Sequence, residues 1–154
     1  MRPPPFQSLL DAHREDVYRF LVALVGPQEA EDCFQETFLA ALRSYPRLRD
    51  GSNLRSWVLT IAHRKAIDSV RARRRRPEPG GAADDVAAPS AVEPGDRAVW
   101  EAVAALPPKQ RGAVYLRHAI GLPYREIGLV LGSSEAAARQ SVREALTKLR
   151  EVLG

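Results

Sequence analysis

Proline divides this sequence into segments of helix length. The chain has 154 residues and 12 prolines, with long proline-free stretches between them. Proline lacks a backbone N–H group and its ring clashes inside a helix, so it is tolerated at a helix start but not in the interior. The predicted helices therefore cover about residues 5–25, 28–45, 52–76, 95–105, 108–119, 123–131 and 134–152.

Apolar side chains recur within these segments at spacings of three and four residues. This period is that of one buried helix face, and no segment shows the alternation of a strand. The sequence thus predicts an all-α fold. The expected core residues are Phe6, Leu9, Leu10, Val17, Phe20, Leu21, Leu24 and Val25 in the first helix, Ala30, Cys33, Phe34, Thr37, Phe38, Ala41 and Leu42 in the second, and Leu54, Trp57, Val58, Ile61, Ala62 and Val70 in the third.

A stretch of proline, glycine, alanine and acidic residues separates two helical blocks. Residues 77–95 contain four acidic residues and no Lys or Arg. Such a composition offers little to bury and is typical of a flexible linker. We therefore expect two small helical domains, residues 1–76 and 96–154, joined by an acidic linker at 77–95.

The charge and the rare residue types narrow the class of function. The net charge is +4 and the pI about 9.6, which favours a polyanionic partner. The single cysteine, Cys33, excludes an intramolecular disulfide and a cysteine-rich zinc site, and we expect a packed thiol there. No signal peptide or membrane-spanning run is visible. We expect a cytoplasmic protein with no membrane insertion, no metal and no cofactor.

Residues 122–152 have the pattern of a helix-turn-helix. The small residue Gly128 suits close helix packing, Gly132 ends the first helix, and Ser134 with Glu135 begins the second. The second helix of such a motif lies in the DNA major groove. An ordinary helical hairpin remains the alternative. Arg139, Gln140 and Arg143 are predicted to face away from the apolar stripe and suit contacts to bases and phosphates.

Two further patterns have both a functional and a simpler structural explanation. Five arginines at 71–76 exceed what a helix C-terminus requires, which favours a phosphate-binding surface over a solvated helix end. In the second helix Asp32, Gln35, Glu36 and Leu39 lie on a strip beside the apolar face. Judged by periodicity alone, this segment is an amphipathic helix whose acidic side chains are solvated.

Several motifs together resemble the extracytoplasmic-function sigma factors of bacterial RNA polymerase. Residues 6–75 resemble the sigma region-2 domain, and residues 96–152 resemble the region-4 domain. The motifs that carry the first resemblance are Leu9-Leu10, Val17-Tyr-Arg-Phe20, Ala30-Glu-Asp32, Gln35-Glu-Thr-Phe38, Trp57-Val-Leu-Thr-Ile-Ala62 and Ala66-Ile-Asp68. Those that carry the second are Leu106-Pro-Pro-Lys-Gln-Arg111, Leu116-Arg117, Gly121-Leu122, Tyr124-Arg-Glu-Ile127 and Leu131-Gly132.

The resemblance implies roles for the first domain. Its second helix corresponds to the one that docks on the polymerase β′ clamp helices, through Asp32, Gln35, Glu36, Phe38 and Leu39. The loop 46–56 and the helix after it correspond to the reader of the −10 element, where a base of the opened non-template strand is captured. The implied −10 contacts are Asn53, Arg55, Arg64, Lys65, Asp68 and Arg71. Trp57 is expected in the core instead of stacking on a base.

The resemblance also makes the helix-turn-helix the reader of the −35 element. The implied contacts are Arg125, Ser134, Glu135, Ala137, Arg139, Gln140 and Arg143. Ser141 stands where the family commonly has arginine, and Arg143 is expected to replace that phosphate contact. Three alanines, 136–138, offer no side-chain hydrogen bonds, so methyl contacts and DNA shape are expected to contribute to recognition.

The implied function is therefore transcription initiation. The implied partners are core RNA polymerase, at its β′ clamp helices and β flap, promoter DNA and an anti-sigma factor. One rival is a helix-turn-helix regulator that never binds polymerase, which leaves the strip on the second helix unexplained. An enzyme is disfavoured because the three histidines lie in separate segments and no phosphate-binding loop or nucleophile motif is present. A purely structural adaptor would not explain the arginine run.

Overall fold

The structure, a computed structural model, describes residues 5–48, 53–75 and 94–154. Within these ranges it contains helices and no strand, which confirms the all-α prediction. The helices are α1 (Phe6–Val25), α2 (Pro27–Ser44), α3 (Leu54–Arg75), α4 (Pro94–Ala104), α5 (Pro108–Val114), α6 (Tyr124–Leu131) and α7 (Glu135–Leu153), with a short 3₁₀ turn at Tyr45–Arg47 and a π-helical segment at Tyr115–Ile120.

Helices α1, α2 and α3 form a bundle around large apolar side chains. Val17, Phe20, Val58 and Leu59 are completely buried there. Leu42 contradicts the predicted stripe, since 51% of its surface is exposed. Leu42 follows the buried Ala41 near the end of α2. The apolar spacing of three and four residues continues to this point in the sequence, but the bundle no longer covers the side chain.

Trp57 lies at the edge of this bundle. It is half-buried against the core, and its ring tilts onto that of Tyr45 at a centroid distance of 6.2 Å. The expected packing role is therefore confirmed, although part of the indole remains accessible at the start of α3.

Helices α6 and α7 form the predicted helix-turn-helix. A Cβ atom on Gly128 would lie 2.8 Å from the backbone oxygen of Ser133, so no larger residue fits without a shift of the backbone. Gly132 ends α6 with φ of 70°, a left-handed conformation that glycine adopts at low cost. The Ser134 hydroxyl accepts a hydrogen bond of 3.0 Å from the Ala137 N–H and caps α7 as predicted.

The two helical blocks pack against each other and share one core. The end of α1 shows this: Leu21 to Val25 are all buried, including positions off the predicted stripe. The rings of Phe20 in α1 and Tyr115 stack at 6.4 Å with 28° between their planes. Residues 77–93 of the predicted linker lie outside the described residues, and Pro94 and Gly95 belong to the first turn of α4.

Candidate nucleic-acid interface

Helix α7, the second helix of the predicted helix-turn-helix, presents a polar face to solvent. Ala138, Val142 and Ala145 are buried against the rest of the domain. The side chains of this helix that were predicted to contact DNA are all exposed: Glu135, Ala137, Arg139, Gln140 and Arg143. Arg125, in the first turn of α6, is also exposed, whereas the oxygen of Ser134 is engaged in the helix cap.

Arg139 is oriented by two neighbours before any ligand binds. Its guanidinium lies 2.9 Å from a carboxylate oxygen of Glu135 and 4.7 Å from the ring centroid of Tyr124. Arg117 lies 4.2 Å from the centroid of the same ring. Cation–π contacts of this kind hold a guanidinium in place while leaving its N–H groups available to an acceptor. A phosphate at this position would compete with Glu135 for those donors.

A shallow groove of about 230 Å³ runs between the start of α6 and the side of α7. Arg139, Arg143 and Arg150 line it together with Tyr124 and Thr147. The three arginines are spaced by four and seven residues, so they follow one side of α7 and form a basic ridge. Tyr124 and Arg150 were not predicted as parts of this surface, although the spacing of the arginines is visible in the sequence.

Helix α3 carries a second exposed charged stripe. Arg64, Asp68 and Arg71 lie on its solvent side, at spacings of four and three. Lys65 is half-buried, and its backbone oxygen lies 3.8 Å from the sulfur of Cys33. Of the predicted arginine run, residues 71–75 belong to α3, and Arg76 lies outside the described residues.

Asn53 stands immediately before α3 and uses both ends of its amide. Its Oδ1 accepts a hydrogen bond of 3.1 Å from the Ser56 N–H, which caps the helix. Its Nδ2 donates to Oε1 of Glu126 in α6, across the boundary between the two blocks. Arg55 is half-buried near His13. Burial lowers the pKa of His13, and the positive charge of Arg55 lowers it further.

The predicted strip on α2 is exposed except at one position. Asp32, Gln35, Glu36 and Leu39 all face solvent, and Leu39 is 53% exposed. Phe38 is the exception, since only 8% of its surface is accessible. Its ring packs against those of Phe34 and Phe6, at 4.9 and 6.5 Å. The expectation that Phe38 is a surface contact is corrected: it is part of the core that supports the strip.

Comparison with known proteins gives the family of this chain. Residues 9–76 match the family model for sigma-70 region 2, and residues 96–149 match that for sigma-70 region 4. The RNA polymerase sigma factor CarQ of Myxococcus xanthus is 35% identical over 156 aligned positions, which cover 97% of this chain and 89% of CarQ. The chain belongs to the extracytoplasmic-function sigma factors of RNA polymerase.

Two further relatives agree with this family. The extracytoplasmic-function (ECF) RNA polymerase sigma factor SigC of Mycobacterium tuberculosis is 32% identical over 148 positions, covering 90% of this chain and 78% of SigC. Among solved structures, the sigma factor RpoE of Bartonella quintana, crystallised with the anti-sigma factor NepR, has the same fold, with a TM-score of 0.84 at 24% identity over 96% of both chains. As a member of this family, the sigma factor acts in transcription initiation by RNA polymerase.

The sigma factor's cysteine lies inside the region-2 bundle. Cys33 is 2% exposed, which confirms the predicted packed thiol. Burial raises the pKa of Cys33 above its ordinary value, an effect that the nearby Ser69 hydroxyl partly opposes. A protonated, enclosed thiol is a poor nucleophile.

Within its described ranges, the sigma factor shows neither a cluster of metal ligands nor a membrane-spanning helix. Among residues 5–48, 53–75 and 94–154, no three His, Cys, Asp or Glu side chains come together as metal ligands. None of the helices in that part of the chain combines the length and the apolar character needed to span a bilayer.

Proposed function

We propose that this sigma factor binds core RNA polymerase through α2 and directs it to promoters by recognising a −35 element with α7 and a −10 element with α3. The exposed face of α7 carries the proposal most directly. It combines a helix-turn-helix geometry with arginines that point away from the core, which is the arrangement that a major-groove reader needs.

Recognition of the −35 element would combine phosphate contacts with a close approach to the bases. Arg139 and Arg143 supply the charge, and the groove beside them can follow the DNA backbone. Ala137 is exposed without a polar side chain. It would contact thymine methyl groups or let the helix sit deeply in the groove.

Recognition of the −10 element would use single-stranded DNA. The exposed stripe of Arg64, Asp68 and Arg71 gives a mostly basic path along α3, and basic grooves follow the backbone of a single strand. Asn53 and Arg55, at the beginning of this path, would capture a base of the non-template strand and so help to keep the −10 DNA open.

Docking on polymerase would use the polar strip of α2. Asp32, Gln35 and Glu36 are exposed beside Leu39, so the surface combines charge with one accessible apolar side chain. The polymerase side would be the β′ clamp helices, and the region-4 domain would meet the β flap. The same proposal includes a cytoplasmic location and control by an anti-sigma factor, the kind of protein with which the Bartonella sigma factor was crystallised.

A binding assay on the strip tests this proposal. Asp32→Ala combined with Gln35→Ala should weaken assembly with core RNA polymerase in gel filtration, with helical content unchanged, because both side chains are exposed. Glu151→Ala, which removes an exposed acid from α7, is the matched control and should assemble normally. If the double variant assembles as well as the wild type, the strip on α2 is not the docking surface. A wild-type chain that never assembles would contradict the whole proposal.

A further inference from the structure

The carboxylate of Glu144 in α7 accepts hydrogen bonds from two glutamines. Gln140, one turn earlier in α7, donates from its Nε2 to Oε1 of Glu144 at 3.0 Å. Gln110 of α5 donates from its Nε2 to Oε2 of Glu144, also at 3.0 Å. Helix α5 packs against α7, so Gln110 fixes the carboxylate from a neighbouring helix. The carboxylate in turn holds the exposed side chain of Gln140.

These contacts fix the orientation of the Gln140 amide. Its Nε2 group meets a carboxylate, which can only accept, and its Oε1 lies 3.5 Å from Nη1 of Arg143, which can only donate. Turning the amide by 180° would place oxygen against oxygen on one side and nitrogen against nitrogen on the other. Both neighbours therefore oppose this turn. Beyond these contacts, Nε2 has a second N–H group and Oε1 a second lone pair.

This second donor and second acceptor match the major-groove edge of adenine. Adenine presents the N7 acceptor beside the N6 amino donor, whereas guanine presents two acceptors, which suit arginine. The neighbours of Gln140 one turn earlier in the helix are Ala136 and Ala137, both exposed. Because their side chains are single methyl groups, a base edge has room to approach the amide.

Glu144 carries the wrong charge for a direct contact with DNA. It is exposed on the same helix as Arg139 and Arg143, which are proposed to meet phosphates. A carboxylate near phosphates weakens binding to every DNA sequence. A carboxylate that orients a base-reading amide instead raises the affinity for one base relative to the others. The effects of Glu144 on overall affinity and on sequence preference are therefore opposite in sign.

We propose that Gln140 reads an adenine of the −35 element, and that Glu144, held by Gln110, is the positioning residue that fixes its amide. The inference rests on the proposed function, because it takes α7 as the reader of −35 DNA. The arginines of the basic ridge supply affinity, and Gln140 supplies preference at one base pair.

Four variants of the full chain separate positioning from charge. Glu144→Ala removes both oxygens that accept from the glutamines, whereas Glu144→Gln removes the charge and keeps one side-chain oxygen that can accept from Gln140. Gln140→Ala removes the reader itself. Glu151→Ala removes an exposed acid two turns farther along α7 and is the matched control. Circular dichroism verifies that each variant keeps its helical content.

The probe is a pool of double-stranded DNA randomised over about ten base pairs, roughly one turn. Sequencing of the bound duplexes gives the base preference at each position. Fluorescence anisotropy on the unselected pool gives the overall affinity of each variant. The two quantities are thus measured on the same DNA.

The wild-type chain should prefer adenine by about tenfold at one position of the selected sequence. Gln140→Ala and Glu144→Ala should each reduce this preference to about twofold or less, whereas Glu144→Gln should keep most of it. Both substitutions of Glu144 should raise the affinity for the unselected pool by about twofold to threefold, because each removes a negative charge. Combining Gln140→Ala with Glu144→Ala should reduce the preference no further than Gln140→Ala alone.

Several outcomes would overturn the inference. These are an adenine preference that survives Glu144→Ala, an equal loss in Glu144→Ala and Glu144→Gln, and the loss of preference for a base other than adenine in Gln140→Ala. A loss in the Glu151→Ala control would do the same, because it would reflect the acidic charge of α7 in general. A folded wild-type chain that selects no sequence, with or without core polymerase, would instead overturn the proposed reading of −35 DNA by α7.

Discussion

Arg111 and Leu24 are 87 positions apart in sequence, and a hydrogen bond of 3.0 Å joins the guanidinium of one to the backbone oxygen of the other. Leu24 lies in the last turn of α1, where backbone oxygens have no partner within the helix. Arg111, in one domain, thus supplies a hydrogen-bond donor to a backbone oxygen at the C-terminus of α1, in the other domain. Its second donor, to Leu106, fixes the turn before α5.

Arg111→Met should lower the free energy of unfolding by about 2–4 kcal/mol, because it leaves the oxygens of Leu24 and Leu106 without these donors in a buried place. Urea unfolding followed by circular dichroism measures the change. Arg125→Met is the matched control, since Arg125 is exposed, and it should change stability by less than about 0.5 kcal/mol. Equal losses for both variants would show that the buried hydrogen bonds of Arg111 contribute little.

Cys33 should react slowly with alkylating reagents. Burial encloses the thiol and raises its pKa, so the folded protein at pH 8 should be modified far more slowly than the chain in urea. Mass spectrometry after timed iodoacetamide treatment measures this ratio. Cys33→Ala should cost about 1–2 kcal/mol through lost packing. Rapid alkylation of the native protein, or a variant of full stability that loses an oxidant response, would point to a redox sensor.

Stability should fall as the medium becomes mildly acidic. Burial lowers the pKa of His13 and of His63, and in each case a nearby arginine lowers it further. The unfolded chain, with histidine pKa values near 6.5, therefore takes up protons first. The stabilisation is complete above about pH 6.5 and is lost as the pH falls through the lowered values.

Urea midpoints at pH 7.5 and 5.5 measure this dependence. His13→Gln combined with His63→Gln should flatten it, whereas His118→Gln, at an exposed position, should leave it unchanged. A double variant with the wild-type pH dependence would exclude these two histidines as its source.

Binding to −35 DNA should distinguish a phosphate contact of α7 from the steric fit of this helix in the DNA groove. Arg143→Ala should weaken binding at low salt and reduce the salt slope by about one, as expected for a lost phosphate contact. Ala137→Leu should weaken binding at every salt concentration, because a bulky side chain there pushes the helix out of the groove. Fluorescence anisotropy on a duplex with a −35 element from a responsive promoter measures both.

Lys148→Ala is the control for the loss of one positive charge, since Lys148 is exposed on another side of α7. It should have little effect. If Ala137→Leu is folded and binds normally, α7 does not enter the groove as proposed.

The sequence predicted the helices and their buried faces because both depend on local chemistry. Proline positions located the helix boundaries to within a few residues, and the small Gly128 with the cap at Ser134 located the helix-turn-helix. The exposure of Arg139 and Arg143 followed from the period of α7. Each of these features involves residues close together in the chain.

The features that sequence analysis missed depend on contacts between distant segments. Periodicity predicted one buried stripe in α1, but Val22 and Ala23 are buried as well, near the end of a helix that also packs against α5. Likewise, nothing local to Asn53 indicates that its partner is Glu126, 73 positions away. Phe38 was predicted to lie both in the core and on the docking strip. Its ring packs against those of Phe34 and Phe6, which places it in the core.

Run-off transcription tests the central claim most directly. Core RNA polymerase with this sigma factor, incubated with a library of bacterial promoter fragments, should initiate at a defined subset that core polymerase alone does not use. The promoters in that subset should share sequence at both −35 and −10. If the sigma factor adds no specific start sites, although it is folded and the core is active with another sigma factor, the account is wrong.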